Sequence, residues 1–153
     1  MLALLLAMVI TGCSNDKATT FETKLSAKEM ADKMIEEVEQ PSLMELSAQE
    51  VKDVYNLDLD KIEDYSIRIP LMNIKTNEIA IVKVKDAVHV ADVEAALKQR
   101  AENVMKQFEQ YLPDQYEQAK NYKLVTKGNY VLLVISDKAD ELVKIYDSFF
   151  EQK

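Results

Sequence analysis

The sequence predicts one α+β domain. Its expected core is a four-stranded antiparallel sheet built from two strand-strand-helix units, with helices packed on one face and two further helices on the N-terminal side. Three observations predict it. From Tyr65 onward the hydrophobic periodicity changes from two to 3.6 residues, twice in the same order. Upstream, Ser26 with Glu29 and Ser47 with Glu50 each spell a capping box. The chain has 153 residues, enough for one domain with a real core once a leader is set aside.

The leader comes first. Residues 1–10 are almost wholly Leu, Ala, Met, Val and Ile, and they run into Thr11-Gly12-Cys13. A membrane-spanning helix needs about 20 apolar residues; the apolar stretch of a signal peptide takes about 7–15. The pattern reads as a signal ending in a lipobox. Small Thr11 and Gly12 expose the backbone to a peptidase, and the thiol of Cys13 accepts a diacylglyceryl group as a thioether. The basic flank expected of a signal is missing, since the first lysine is Lys17, so Met1 is expected to be an internal start. Residues 14–25 are polar and read as a tether of roughly 20 Å root-mean-square length. The single domain is expected to occupy residues 26–153.

Within it, Met30, Met34, Ile35 and Val38 line one side of a helix that Gln40-Pro41 ends. A short helix follows Ser47 and stops near Asn56. Residues 58–64 form an acidic connection. Tyr65, Ile67, Ile69 and Leu71 alternate with Ser66, Arg68 and Pro70, predicting a half-buried strand with an edge position at Pro70. Residues 78–85 make a second strand. A long helix runs from His89 to about Tyr111, burying Val93, Leu97, Ala101, Val104 and Phe108, and Pro113 ends it. Residues 122–127 and 130–135 are strands joined by a Gly128-Asn129 hairpin turn. The second of these is apolar throughout, so both its faces need cover or it lies centrally. Ser136-Asp137 opens a last helix striped with Leu142, Ile145, Tyr146 and Phe149.

Composition narrows function. The net charge is −8, all of it after Cys13, which argues against nucleic acid as a partner and against adhesion to anionic lipid. With Cys13 lipidated no other cysteine remains, so no disulfide and no thiolate metal site is available. Two glycines cannot build a glycine-rich phosphate loop.

Several segments carry a family resemblance: Tyr55-Asn56-Leu57-Asp58, Tyr65-Ser66-Ile67-Arg68-Ile69-Pro70, Asn77-Glu78-Ile79-Ala80, Gln110-Tyr111-Leu112-Pro113 and Lys127-Gly128-Asn129-Tyr130. With the lipobox, they make the chain resemble the bacterial lipoprotein family called domain of unknown function 4358. The resemblance covers nearly the whole chain after Cys13. It implies no activity, catalytic residue or cofactor.

Candidate chemistry is sparse. His89 is the sole histidine, and its position suits a helix start better than a triad. Asp58, Asp60, Glu63 and Asp64 are the densest carboxylates; they lack the glycine and terminal glutamate of a calcium loop and read as a solvated acidic segment, with Asp58, Asp60 and Asp64 the weak metal candidates. Tyr111, Tyr116, Tyr122 and Tyr130 gather around Pro113, either sealing the core or forming a binding surface. The edge of residues 66–72 is a second candidate surface, which Pro70 disfavours. The expectation is a lipoprotein on the outer face of the cell membrane, held by the lipid on Cys13, that binds an envelope protein or cell-wall component without catalysis or cofactor. The alternative is a small envelope hydrolase using carboxylates or a metal.

Overall fold

A computed structural model describes residues 21–152. Cys13, the leader and most of the expected tether lie outside the described residues. The elements are β1 (Phe21–Glu22), α1 (Ala27–Glu37), β2 (Leu43–Glu45), α2 (Ala48–Tyr55), β3 (Ile62–Pro70), β4 (Glu78–Val84), α3 (Val90–Phe108), α4 (Pro113–Lys120), β5 (Lys123–Lys127), β6 (Tyr130–Ile135), α5 (Ala139–Ser148) and β7 (Glu151–Gln152). The class is α+β, and the main sheet is antiparallel with strand order β2-β3-β4-β6-β5.

Local rules account for the helix ends. Both capping boxes form: Ser26 and Ser47 accept the amides of Glu29 and Glu50, whose carboxylates take the cap amides in return. Those bonds hold the Glu29 and Glu50 carboxyls below the ordinary glutamate range, with Ser26 and Ser47 as the leading causes. A lowered folded-state pKa gives stability that is present above the unfolded value and is lost as pH falls through the folded one. Urea midpoints are therefore expected to drop between about pH 5 and pH 3, and the drop should be shallower in a Glu29→Gln/Glu50→Gln chain. Equal slopes for the two chains would rule the caps out as the cause.

The sheet departs from expectation in two ways. It has five strands, because residues 43–45 between the two N-terminal helices pair with the Arg68–Pro70 end of β3. Three residues are too few for a periodicity to register. The pairing also covers the end of β3 expected at an edge. Pro70 is tolerated there because it is the last residue of the strand.

The second departure is larger. Helices cover both faces, not one. Val82 and Val84 of β4, with Val131, Leu133 and Ile135 of β6, face α2, α3 and α4. Ile79, Ile81, Tyr130, Leu132 and Val134 face α1 and α5. Every residue of β6 is buried, as a continuous apolar strand between two helical layers must be. The two strand-strand-helix units thus send α3 and α5 to opposite sides. The polar face of β3 hid this. Ser66 and Arg68 look solvent-facing in sequence, yet Ser66 is fully buried and Arg68 lies under α1, 2.6 Å from the Asp32 carboxylate.

The long helix is shorter than expected. It ends at Phe108, and Pro113 opens α4, where its missing N–H costs nothing. Phe21 and Glu22, expected in the tether, pair with β7. The Phe21 ring sits edge-on to Phe150, 6.4 Å between centroids, beside the hairpin at Gly128. Gly128 has φ 54°, the left-handed conformation that glycine takes without strain.

One buried group is unsatisfied. Among the described residues the Tyr146 hydroxyl has no hydrogen-bond partner, and burial pushes its pKa up. Tyr146→Phe removes that group while keeping the ring. It is expected to leave stability unchanged or raise it by up to about 1 kcal/mol in chemical denaturation. A loss of about 2 kcal/mol or more by the same measurement would mean the hydroxyl is bonded.

Candidate functional site

The sheet has two unlike ends. At one, Lys83 pairs with Tyr130 beside the Gly128 hairpin, Phe21 and β7. At the other, Glu78 pairs with Ile135, and residues 71–77 connect β3 to β4. The seven residues of β4 separate these ends by roughly 20 Å.

The 71–77 connection is pinned rather than loose. The Leu71 amide donates to the Ser42 carbonyl, and the Lys75 amide to the Met72 carbonyl. Thr76 and Asn77 are buried polar residues and both are satisfied. The Thr76 amide donates to Gln115 Oε1 at 3.0 Å. Asn77 donates to Gln40 Oε1 at 3.0 Å and accepts from Gln118 Nε2 at 2.9 Å. Ser136 adds a bond to Gln40. Polar side chains from separate parts of the chain thus fasten this end.

Beside them is a buried charge cluster. Glu78, the first residue of β4, is 1% exposed. Its alternation with Ala80 and Val82 points it to the α3 side. There Arg100 of α3 donates from Nε and Nη2 to the two carboxylate oxygens, Nη2 to Oε2 at 2.8 Å. The hydroxyl of Tyr55, the last residue of α2, donates to Oε1. Arg100 also lies over the Tyr55 ring, 5.5 Å from its centroid. Burial, then the adjoining Glu78 charge, push the Tyr55 hydroxyl well above its ordinary range, so it stays a proton donor. Burial works against the charge on Arg100, but the Glu78 carboxylate outweighs it and its pKa is raised. A carboxylate so fully engaged is a lock, not a general base.

A cavity of about 120 Å³ opens above this pair, between the 71–77 connection and the C-terminal turns of α3. Its lining is mixed: Ile69, Pro70, Met72, Val104 and Phe108 are apolar, and Asn73, Thr76 and Gln107 join the exposed Lys75. Around it lie apolar groups open to solvent: Leu71 at 61%, Met72 at 57%, and Tyr111 at 61% against Phe108. Exposed apolar groups gathered at one place mark binding surfaces more often than scattered ones do.

The structure separates the four expected tyrosines. Tyr111 is exposed at this end. Tyr116 and Tyr122 are half-buried against the α3 side of the core. Tyr130 is buried on the opposite side of the sheet with α5. Even-numbered residues of β6 face α5, so Tyr130 cannot join the others.

Of the three candidate aspartates, Asp58 and Asp64 have partners for their side chains. Asp58 accepts the Asp60 amide and lies 3.8 Å from Lys61. Asp64, turned by a register shift in β3, accepts the Ala27 amide at the start of α1 at 2.7 Å. Among the described residues no three His, Cys, Asp or Glu side chains converge to hold a metal. His89 precedes α3 without a side-chain cap bond, 4.0 Å from Asp92.

Sequence reasoning missed Tyr55, Glu78 and Arg100 as a unit. A signal existed. Glu78 heads an otherwise apolar strand, and Arg100 falls three residues after Leu97 and four before Val104, on the flank of the buried stripe.

Residues 36–136 match the family described as domain of unknown function (DUF4358). The match contains the whole Tyr55–Glu78–Arg100 cluster and the cavity above it. No curated protein and no solved structure matches the chain.

Proposed function

The chain belongs to the family of domain of unknown function 4358, and on that premise we propose that it is a lipid-anchored lipoprotein on the outer face of the cell membrane, a binding or accessory module of the envelope. One observation carries this reading: Leu71, Met72, Ile74 and Tyr111 gather their exposed apolar surface at the end of the sheet opposite Phe21, whereas Val88, the exposed apolar residue that follows β4 at the Phe21 end, stands alone there among the described residues. Cys13 precedes Phe21 by eight residues, which reach at most about 29 Å fully extended. A lipid on Cys13 would keep the Phe21 end toward the membrane. The Leu71, Met72 and Tyr111 end would then face away, where an envelope protein or wall component is met.

Non-catalytic binding is favoured because the most buried carboxylate, Glu78, is consumed by Arg100 and Tyr55. The hydrolase alternative draws on a groove of about 430 Å³ lined by Asp58, Lys61, His89 and Asp92. Lys61 lies 3.8 and 3.7 Å from the two aspartates, so the carboxylates such chemistry would use share one ammonium at the surface.

The test places a photocrosslinking residue at Leu71 or at Asn129 in the full chain and irradiates intact envelopes. One stoichiometric envelope partner captured from Leu71 and not from Asn129 is the expected result. Equal capture from both positions, or turnover in a hydrolase panel abolished by His89→Ala, would overturn the reading.

A further inference from the structure

We propose that the cavity between Met72 and α3 binds the carboxylate end of a ligand, such as the free C-terminus of a peptide. The inference rests on the reading of this end as the binding end and names the chemistry recognised there. Three charged side chains line the cavity: Glu78, Arg100 and Lys75. Glu78 takes two of the five N–H groups of Arg100. Lys75 is exposed and forms no ion pair among the described residues. Lys75, which also borders the neighbouring groove of Glu39 and Asp137, gives the cavity lining one positive charge in excess, in a chain whose formal charge is −8.

The walls add a size limit. Cavities of about 150 Å³ admit a benzene ring, so about 120 Å³ suits one branched aliphatic side chain and little more. Ile69, Pro70, Met72, Val104 and Phe108 supply its apolar lining, and the Thr76 and Asn77 bonds to Gln115, Gln118 and Gln40 hold the mouth in shape. A terminal residue brings an aliphatic side chain and a carboxylate on the same carbon. It matches apolar walls beside a surplus cation, and an internal peptide residue does not.

The probe is N-acetyl-alanyl-leucine, compared with its carboxamide, titrated into the full chain in a non-ionic detergent. The readout is the methyl resonances of Met72, Ile69 and Val104. The acid is expected to move all three saturably, and the amide to bind about tenfold more weakly or worse, as loss of a charge-assisted contact requires. Lys75→Glu should abolish the difference between acid and amide, and Lys75→Arg should keep it; the position is on the surface, and unchanged circular dichroism certifies the fold. If the amide moves the same methyls as strongly, the carboxylate inference is overturned while the binding end stands. If neither probe moves them, the inference is overturned at this cavity, and the crosslinking result decides the binding end independently.

Discussion

Glu78→Gln is expected to destabilise the domain by about 3–5 kcal/mol, against an ordinary domain stability of about 5–15 kcal/mol. The side chain keeps its size and can still accept from Tyr55. What it loses is the charge opposite Arg100, whose side chain is 18% exposed and would be left without its partner. Arg100→Leu should cost a similar amount, now leaving the buried Glu78 carboxylate without its counter-ion. Tyr55→Phe removes one donor and should cost about 1–2 kcal/mol. The informative variant is the combination. Burying two charges costs nearly what their attraction returns, so Glu78→Leu/Arg100→Leu should recover most of either single loss. Urea unfolding of these four variants and the parent at constant slope measures it. If Glu78→Gln falls within about 1 kcal/mol of the parent by that measurement, the cluster is not the lock described above.

Replacing Cys13 is expected to be equally decisive, for the address and not the fold. The parent should partition into a detergent phase and, by mass spectrometry, begin at Cys13 with acyl chains attached. Cys13→Ser should retain residues 1–12 and carry no acyl mass. Each buried methylene contributes about 0.8 kcal/mol, and two chains hold a protein far longer than one. No helix of the described residues is long and apolar enough to cross a membrane, so they offer no substitute anchor of that kind. Domain unfolding should be the same in both chains. A parent chain carrying residues 1–12 with a free thiol would remove the basis of the anchoring proposal.

Much of the fold was legible for a local reason. Capping boxes at Ser26 and Ser47 operate over three residues, and the α3 stripe from Val93 to Phe108 repeats within one helix. The Gly128 turn follows from a single backbone conformation. The second helical layer was less legible. Its polar contact, Arg68 with Asp32, joins residues 36 apart, and neither residue alone signals burial. The candidate site was least legible. The four tyrosines were read as either sealing the core or forming a surface; Tyr116 and Tyr122 pack against the core, Tyr111 is exposed, and strand alternation sends Tyr130 to the other side of the sheet.

By itself the sequence determined the two capped helix starts at Ser26 and Ser47, the Gly128 hairpin, the α+β class and the family, because hydrogen bonding and side-chain period act between near neighbours. Only the tertiary structure decided that helices cover both faces and that Tyr55, Glu78 and Arg100 meet under a cavity opposite Phe21. Those contacts span 22 and 23 residues of chain, and a charge becomes a buried partner only when packing removes the water around it.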